Sequence, residues 1–167
     1  MVPKRALSIS SIIWHPDATV LAITDLFKVW LIDSHNGAVR QHVPISSTGG
    51  KGLAWSPDRT WVVTGKTLWT YTNQQLTEVR DLDGPDDEVS VASFSGDSRF
   101  VALGTGSRRE GKMEPSDTNI YVWQIDTPRR RATFSQHTAI ITSIAVNQDA
   151  TMIVSGDKSG RVYCWAR

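Results

Sequence analysis

The sequence predicts an all-β protein built from four similar units of short antiparallel strands, and three observations support this. An aspartate recurs in phase at Asp17, Asp58, Asp97 and Asp149. Apolar residues stand eight, five and three positions before each aspartate, with Gly50 as the one exception. We call this pattern of three positions the comb. Further along each unit, a short apolar segment ends in a large aromatic residue. Repeats of about forty residues with β-branched and aromatic content are typical of propellers or solenoid arrays.

Each unit is predicted to contain four strands, a to d, separated by turns. The comb forms strand a, and the aspartate lies in the turn that follows it, where Pro, Gly and Asn favour chain reversal. A short apolar run after the turn forms strand b, and a weaker strand d follows strand c. The aromatics that close strand c are Trp30, Tyr71, Trp123 and Trp165. In the second unit Trp69 is then assigned to a spacer position.

These patterns resemble those of the WD-repeat family over essentially the whole chain, from about Ile9 to Trp165. The final copy, residues 155–165, comes closest to the family pattern. The resemblance implies an all-β, WD-repeat-type β-propeller arc of about four blades, with the last blade lacking its outer strand. The repeats are placed at about residues 9–46, 47–86, 87–138 and 139–167, within one propeller segment covering 1–167.

The family often carries a hydrogen-bonded tetrad of His, Ser or Thr, Asp and Trp in each blade. The residues that match it are His137, Ser155 and Trp165 in the fourth unit and Asp117 and Trp123 in the third. Ser159 stands where the aspartate of the fourth unit is expected, and Leu103 replaces the hydroxyl in the third. No tetrad is therefore expected to be complete, and stability is expected to depend mostly on burial between blades.

The resemblance also implies a function, a protein–protein interaction scaffold that presents loops on one rim of the propeller. The b–c and d–a loops share that rim in the family. Its charges are basic in the long b–c loop of the third unit and acidic in the loop before it, so charge complementarity would select a partner. The candidate partner-binding residues are Arg108, Arg109, Lys112, Asp86, Asp87, Glu88 and Lys158.

Motifs for catalysis, cofactors and metals are weak, so no enzyme activity, catalytic residue, cofactor or metal is expected. The run from Gly106 to Lys112 approximates a phosphate-binding loop, but Met113 replaces the required hydroxyl and no helix follows. The acidic run 81–88 does not follow the spacing of a calcium-binding loop. No Cys/His set has zinc spacing, and there is no nucleophile elbow.

Composition narrows the class of partner. The formal net charge is +1, so neither nucleic acid nor a membrane surface is an expected partner. No apolar run is long enough to cross a bilayer. The single Cys164 allows no internal disulfide and suits a reducing compartment. An intracellular, cytoplasmic protein is the expectation.

The alignment of the units leaves the fourth without a strand d. Two alternatives follow for the context of the chain: a non-autonomous fragment of a larger WD-repeat regulatory or signalling protein, or a propeller completed by a second subunit. The expected protein partners are thus an unknown rim ligand and, in the second case, self-association or another chain that completes the propeller. The sharpest version pairs two four-blade arcs into a ring of eight blades.

Overall fold

The computed structural model describes residues 8–25, 27–45, 51–85, 88–106, 117–127 and 129–166. In these ranges fifteen strands form four antiparallel sheets, and within each sheet the strands pair in chain order. This confirms the all-β fold and the four-blade arrangement. The fourth sheet has three strands, as predicted. Among the described residues, no helix is long and apolar enough to cross a membrane.

We number the sheets as blades one to four. Blade one contains β1 (Ser11–Trp14), β2 (Val20–Thr24), β3 (Lys28–Asp33) and β4 (Val39–Pro44). Blade two contains β5 (Leu53–Trp55), β6 (Trp61–Thr64), β7 (Thr67–Thr72) and β8 (Gln75–Asp81). Blade three contains β9 (Val89–Phe94), β10 (Phe100–Thr105), β11 (Ile120–Gln124) and β12 (Arg130–Phe134). Blade four contains β13 (Ile141–Val146), β14 (Met152–Asp157) and β15 (Val162–Ala166). Each sheet lies within one predicted repeat.

The recurring aspartates shape the turns between the first two strands of every blade. The residue after each aspartate has a positive φ, between 56° and 70°, at Ala18, Arg59, Ser98 and Ala150. Residues other than glycine rarely adopt this backbone conformation without local support. The aspartate supplies it, because its Oδ1 accepts the amide N–H two residues later, at 2.9 to 3.2 Å in all four turns. This hydrogen bond explains why an aspartate recurs at each turn.

Three apolar clusters lie between successive blades and form the core. The leading face of a blade carries the comb and packs on the preceding blade, whereas its trailing face packs on the following one. Between blades one and two, for example, Val20, Ala22 and Val29 of the trailing face pack against Trp55 and Val62 of the leading face. Blades two and three, and three and four, pack in the same way.

Strand pairing corrects the predicted position of the closing aromatic in blade two. Trp165 pairs with Ile153, which lies four residues after Asp149. In blade two, the residue four positions after Asp58 is Val62, and it pairs with Trp69, not with Tyr71. Trp69 is buried, whereas Tyr71 lies further along the strand and is partly exposed. The prediction that Tyr71 closes the strand was wrong because the Gly65–Lys66 turn is shorter than the corresponding turn of blade four.

Blade one departs from the pattern for the same reason. Ile32 occupies the register position of Trp165, since it pairs with Leu21. Trp30 lies two residues earlier and donates its indole N–H to Asp25 at 3.3 Å. Asp25 also accepts the backbone amides of Phe27 and Lys28, both at 2.7 Å, and so closes the tight turn. Trp30 therefore supports the turn and does not take the place of Trp165.

Candidate functional site

Blade four contains a buried polar network that joins three parts of the blade. His137 comes from the connection before β13, Ser155 and Asp157 from β14, and Trp165 from β15. The His137 ring lies 2.7 Å from Asp157 through Nδ1 and 2.7 Å from Ser155 through Nε2. Trp165 Nε1 donates to Ser155 Oγ at 2.8 Å. The network is complete, with a hydrogen bond between each member and the next.

This corrects the expectation that no tetrad is complete. The aspartate is Asp157, and Ser159, which was assigned to that position, supports it instead. The Ser159 hydroxyl donates to Asp157 Oδ1 at 2.6 Å, and the Ser159 amide donates to the same atom at 2.9 Å. The signal was in the sequence, because Asp157 follows Asp149 by eight residues, as Asp25 follows Asp17.

Electrostatics favour an ionised Asp157. Burial raises the pKa of its carboxyl, but hydrogen bonds from Ser159, His137 and the Arg161 amide outweigh burial and hold the pKa well below its usual range. The carboxylate accepts from the Nδ1 side of His137, which leaves Nε2 facing the Ser155 hydroxyl. Because Ser155 Oγ accepts from Trp165, its own proton is available for Nε2.

The order Ser155–His137–Asp157 is also that of a hydrolytic triad, so its access to substrate decides what it can do. A nucleophile must reach a reacting carbon from an open site. Ser155 is 1% exposed, its oxygen is held by both Trp165 and His137, and the ring of Tyr163 covers His137 at 4.7 Å between ring centroids. The network therefore holds strands together and presents no open nucleophile.

The described part of blade three does not contain this network, as the sequence predicts. Leu103 takes the place of Ser155, since Leu103 pairs with Tyr121 as Ser155 pairs with Tyr163. The buried indole N–H of Trp123 finds no hydrogen-bond partner among the described residues. Asp117 accepts instead from the Tyr121 hydroxyl at 3.0 Å. The structure thus does not join Asp117 to Trp123.

Blade two holds half of the network. Trp69 Nε1 donates to the buried Thr64 hydroxyl at 2.9 Å, as Trp165 donates to Ser155. The sequence did not predict this pair, because Tyr71 was assigned to the position of Trp69. Counting six residues from Asp58, as from Asp149 to Ser155, leads to Thr64 and would have found it.

A pocket of about 430 Å³ opens where the inner strands of blades two, three and four begin. We call this edge of the sheets the upper rim. The residues that line the pocket are Lys51, Glu88, Ser90, Gly106, Ile140, Ile141, Thr142 and Lys158. They carry both signs of charge, together with backbone and hydroxyl groups. A volume of this size accommodates a few side chains of a bound molecule.

Hydrogen bonds between and within blades fix the walls of the rim pocket. Ser90 Oγ donates to the carbonyl of Ile141 at 2.5 Å, which ties blade three to blade four. The Gly106 amide donates to the Glu88 carbonyl at 3.1 Å. Gly106 has a φ of +131°, and a Cβ there would lie 2.8 Å from Ile140 Cα. Only glycine fits this close approach.

The charged residues of the pocket differ in environment. Lys51 Nζ forms an ion pair with Glu88 Oε1 at 3.1 Å. Lys158 is exposed on the opposite wall, and its backbone amide donates to the Ile140 carbonyl at 2.9 Å. The Lys158 ammonium has no ion-pair partner among the described residues. The pocket therefore presents an exposed cation, attached to a hydrogen-bonded backbone, next to an ion pair.

The structure brings two of the predicted partner-binding residues together, Glu88 and Lys158, because both line this pocket. The other five lie outside the described residues: Asp86, Asp87, Arg108, Arg109 and Lys112. Lys51 and Ser90 were not among the predicted residues, although both lie next to the start of a predicted strand a. Within the described residues, no group of three or more His, Cys, Asp or Glu could hold a metal ion.

Four antiparallel sheets that pack face to face in chain order, with their first strands in successive contact, define a β-propeller architecture. Residues 128–166 match the family model described as WD domain, G-beta repeat. This segment includes the last strand of blade three and the whole tetrad-bearing sheet of blade four. This segment thus matches a WD40 repeat, and the four sheets have the arrangement of a four-blade propeller. No curated protein matches the chain.

Proposed function

We propose that the chain is a protein-interaction scaffold that recognises a protein partner through the upper-rim pocket. Propellers of WD40 repeats typically serve as such scaffolds and are usually non-catalytic. The observation that carries the proposal is the pocket itself, where Lys51, Glu88 and Lys158 from three blades meet around rigid strand ends. Preorganised walls reduce the entropy cost of binding a partner segment.

The charges favour an acidic side chain of the partner next to Lys158. Within the described ranges the Lys158 ammonium has no ion-pair partner, whereas Lys51 is already paired with Glu88. Ile140 and the strand ends supply the apolar part of the wall. The proposed ligand is therefore an extended segment of a protein that carries a carboxylate near an apolar residue.

Selection from a displayed library of random peptides tests this proposal. The wild-type chain is expected to enrich peptides with a shared motif that contains Asp or Glu, and Lys158→Glu should abolish that enrichment through like-charge repulsion. A matched control is Arg129→Glu, because Arg129 is an exposed cation at the turn before β12, on the opposite rim. Both variants should unfold at the wild-type temperature.

Two results would overturn the proposal. One is the absence of any enriched motif with the folded wild-type chain. The other is enrichment that survives Lys158→Glu unchanged, since recognition would then take place away from the pocket. Loss of binding in both variants would also count against it, because the effect would follow from net charge and not from the pocket.

A further inference from the structure

Among the described residues, the exposed large apolar side chains are concentrated on two faces, one at each end of the propeller. No blade of the described residues packs against the leading face of blade one. Its comb residues Ile9, Ile12 and Trp14 are 43%, 61% and 52% exposed. The matching residues of blade two, Leu53 and Trp55, are buried. The comb is thus covered inside the propeller and open at blade one.

The trailing face of blade four is open in the same way. Met152, Val154 and Val162 are 49%, 40% and 69% exposed, and Cys164 beside them is exposed as well. The same register positions of blade one, Val20, Ala22 and Val29, are fully buried against blade two. The two open faces are therefore the two halves of the interface that recurs between neighbouring blades.

The junction of blades three and four shows how such faces fit. A Cβ at Gly104 of blade three would lie 2.8 Å from Ile141 Cγ2 and 2.9 Å from Ile144 Cδ1 of blade four. Glycine is needed there because two comb residues of the following blade occupy the space that a side chain would take. We call the space next to the glycine a seat. At Gly104 it is filled by Ile141 and Ile144 of blade four.

Blade four repeats the seat without its occupant. Gly156 pairs with Val162 as Gly104 pairs with Ile120, and a Cβ at Gly156 would closely approach only Ser143 of its own blade. A groove of about 180 Å³ surrounds this glycine and is lined largely by small and apolar residues, including Ala145 and Val154. In blade one, the residues at the positions of Ile141 and Ile144 are Ile9 and Ile12, the exposed pair.

We propose that the trailing face of blade four binds the leading face of blade one of a second copy of this chain, with Ile9 and Ile12 in the seat at Gly156. A two-fold axis makes the contact twice and closes a ring of eight blades. Eight is within the usual range of four to eight blades. This inference is independent of the rim pocket, which lies at a different edge of the blades.

A second copy fits these faces better than closure of one chain on itself. The inner strands β1, β5, β9 and β13 contact each other in sequence, and β13 with β1 is not among the strand pairs in extensive contact. The seat residues and comb residues named above carry no charge, so their desolvation costs little. Each copy has one face that carries the exposed comb and one face that can receive it. Two copies therefore cover all four open faces.

Analytical ultracentrifugation of the intact chain tests the proposal over a wide range of concentration. We expect a reversible dimer with twice the 18.5 kDa mass of the chain. Ile12→Asp should raise the dissociation constant at least about tenfold, because it places a charge in an apolar seat in both interfaces. The control is Val79→Asp, since Val79 is an exposed valine on the outer strand of blade two, away from both faces.

An engineered cross-link tests the pairing itself. In a Cys164→Ser background, the pair Ile12→Cys and Gly156→Cys on one chain should form disulfides between two copies under oxidation. Either new cysteine alone should leave the chain monomeric on a non-reducing gel. The design follows the close approach of Ile144 to Gly104 at the internal junction.

Three outcomes would overturn the inference. A wild-type chain that stays monomeric at every concentration would show that the open faces do not bind each other. A dimer that resists Ile12→Asp would show that another surface makes it. A disulfide within one chain, or a ladder of larger oligomers, would show a different closure of the ring.

Discussion

Blades three and four have the same strand pairing but are stabilised in different ways at the same register position. Blade three buries Leu103 there, and the indole N–H of Trp123 finds no partner among the described residues. Blade four places Ser155 there, and its hydroxyl joins Trp165 to His137. The polar network is therefore not required to form a blade, since apolar burial achieves the same strand pairing.

The difference follows the surroundings of each blade. Blade three is packed between two neighbours and has four strands, so burial is available on both faces. Blade four has three strands and one open face among the described residues. A hydrogen-bonded network stabilises the blade that has less apolar burial, because its bonds lie within the blade and need no neighbouring blade.

The largest effect should come from Leu103→Ala in blade three. Leu103 is fully buried, and its truncation leaves a cavity that the packed blades cannot close. We expect the free energy of unfolding to fall by about 3–5 kcal/mol. Urea denaturation at a fixed protein concentration measures it. A loss below about 1 kcal/mol would contradict the claim that apolar burial stabilises blade three in place of the polar network.

His137→Ala should have the next largest effect, in blade four. It removes the hydrogen-bond partner of both Asp157 and Ser155 in a buried site. The expected loss of unfolding free energy is about 2–3 kcal/mol, since buried polar groups lose their partner. His35→Ala is the matched control, because the His35 ring is mostly exposed. Equal stability of the two variants would contradict a stabilising role for the network.

The smallest effect should be a difference in acid sensitivity. The pKa of Asp157 is lower in the folded chain than its usual 3.8, so ionisation stabilises the fold above about pH 4, and this contribution is lost as the pH falls further. Asp157→Asn should remove that part of the acid loss, whereas Leu103→Ala should keep it. The check is the urea midpoint of each variant at neutral and acidic pH. Equal acid loss in Asp157→Asn and the wild type would refute it.

Much of the fold could be predicted, because turn chemistry and apolar spacing are local. The in-phase aspartates mark turns that their own side chains support through the amides of Thr19, Thr60, Arg99 and Thr151. The missing hydroxyl at Leu103 could also be identified by counting. The candidate site was harder, because Lys51, Ser90 and Ile140 come together only when three blades pack.

The register of strand c could not be found by searching for aromatic residues. Turn length decides which residue pairs across a hairpin, and the tight Gly65–Lys66 turn moves Trp69 into the position that Tyr71 was assigned. The role of Asp157 was missed because Ser159 fitted the spacing of the family pattern. In the folded blade, the Ser159 hydroxyl donates to Asp157 at 2.6 Å and does not replace it.

Residue type and short spacing were enough to predict the four sheets, the turn at each recurring aspartate and the apolar comb of each inner strand. Tertiary structure alone decided that His137, Ser155, Asp157 and Trp165 form one network, and that Gly156 is an open seat while Ile12 is exposed. Burial and hydrogen bonding depend on which blade packs against each face, and the spacing of residues along the chain does not specify this packing.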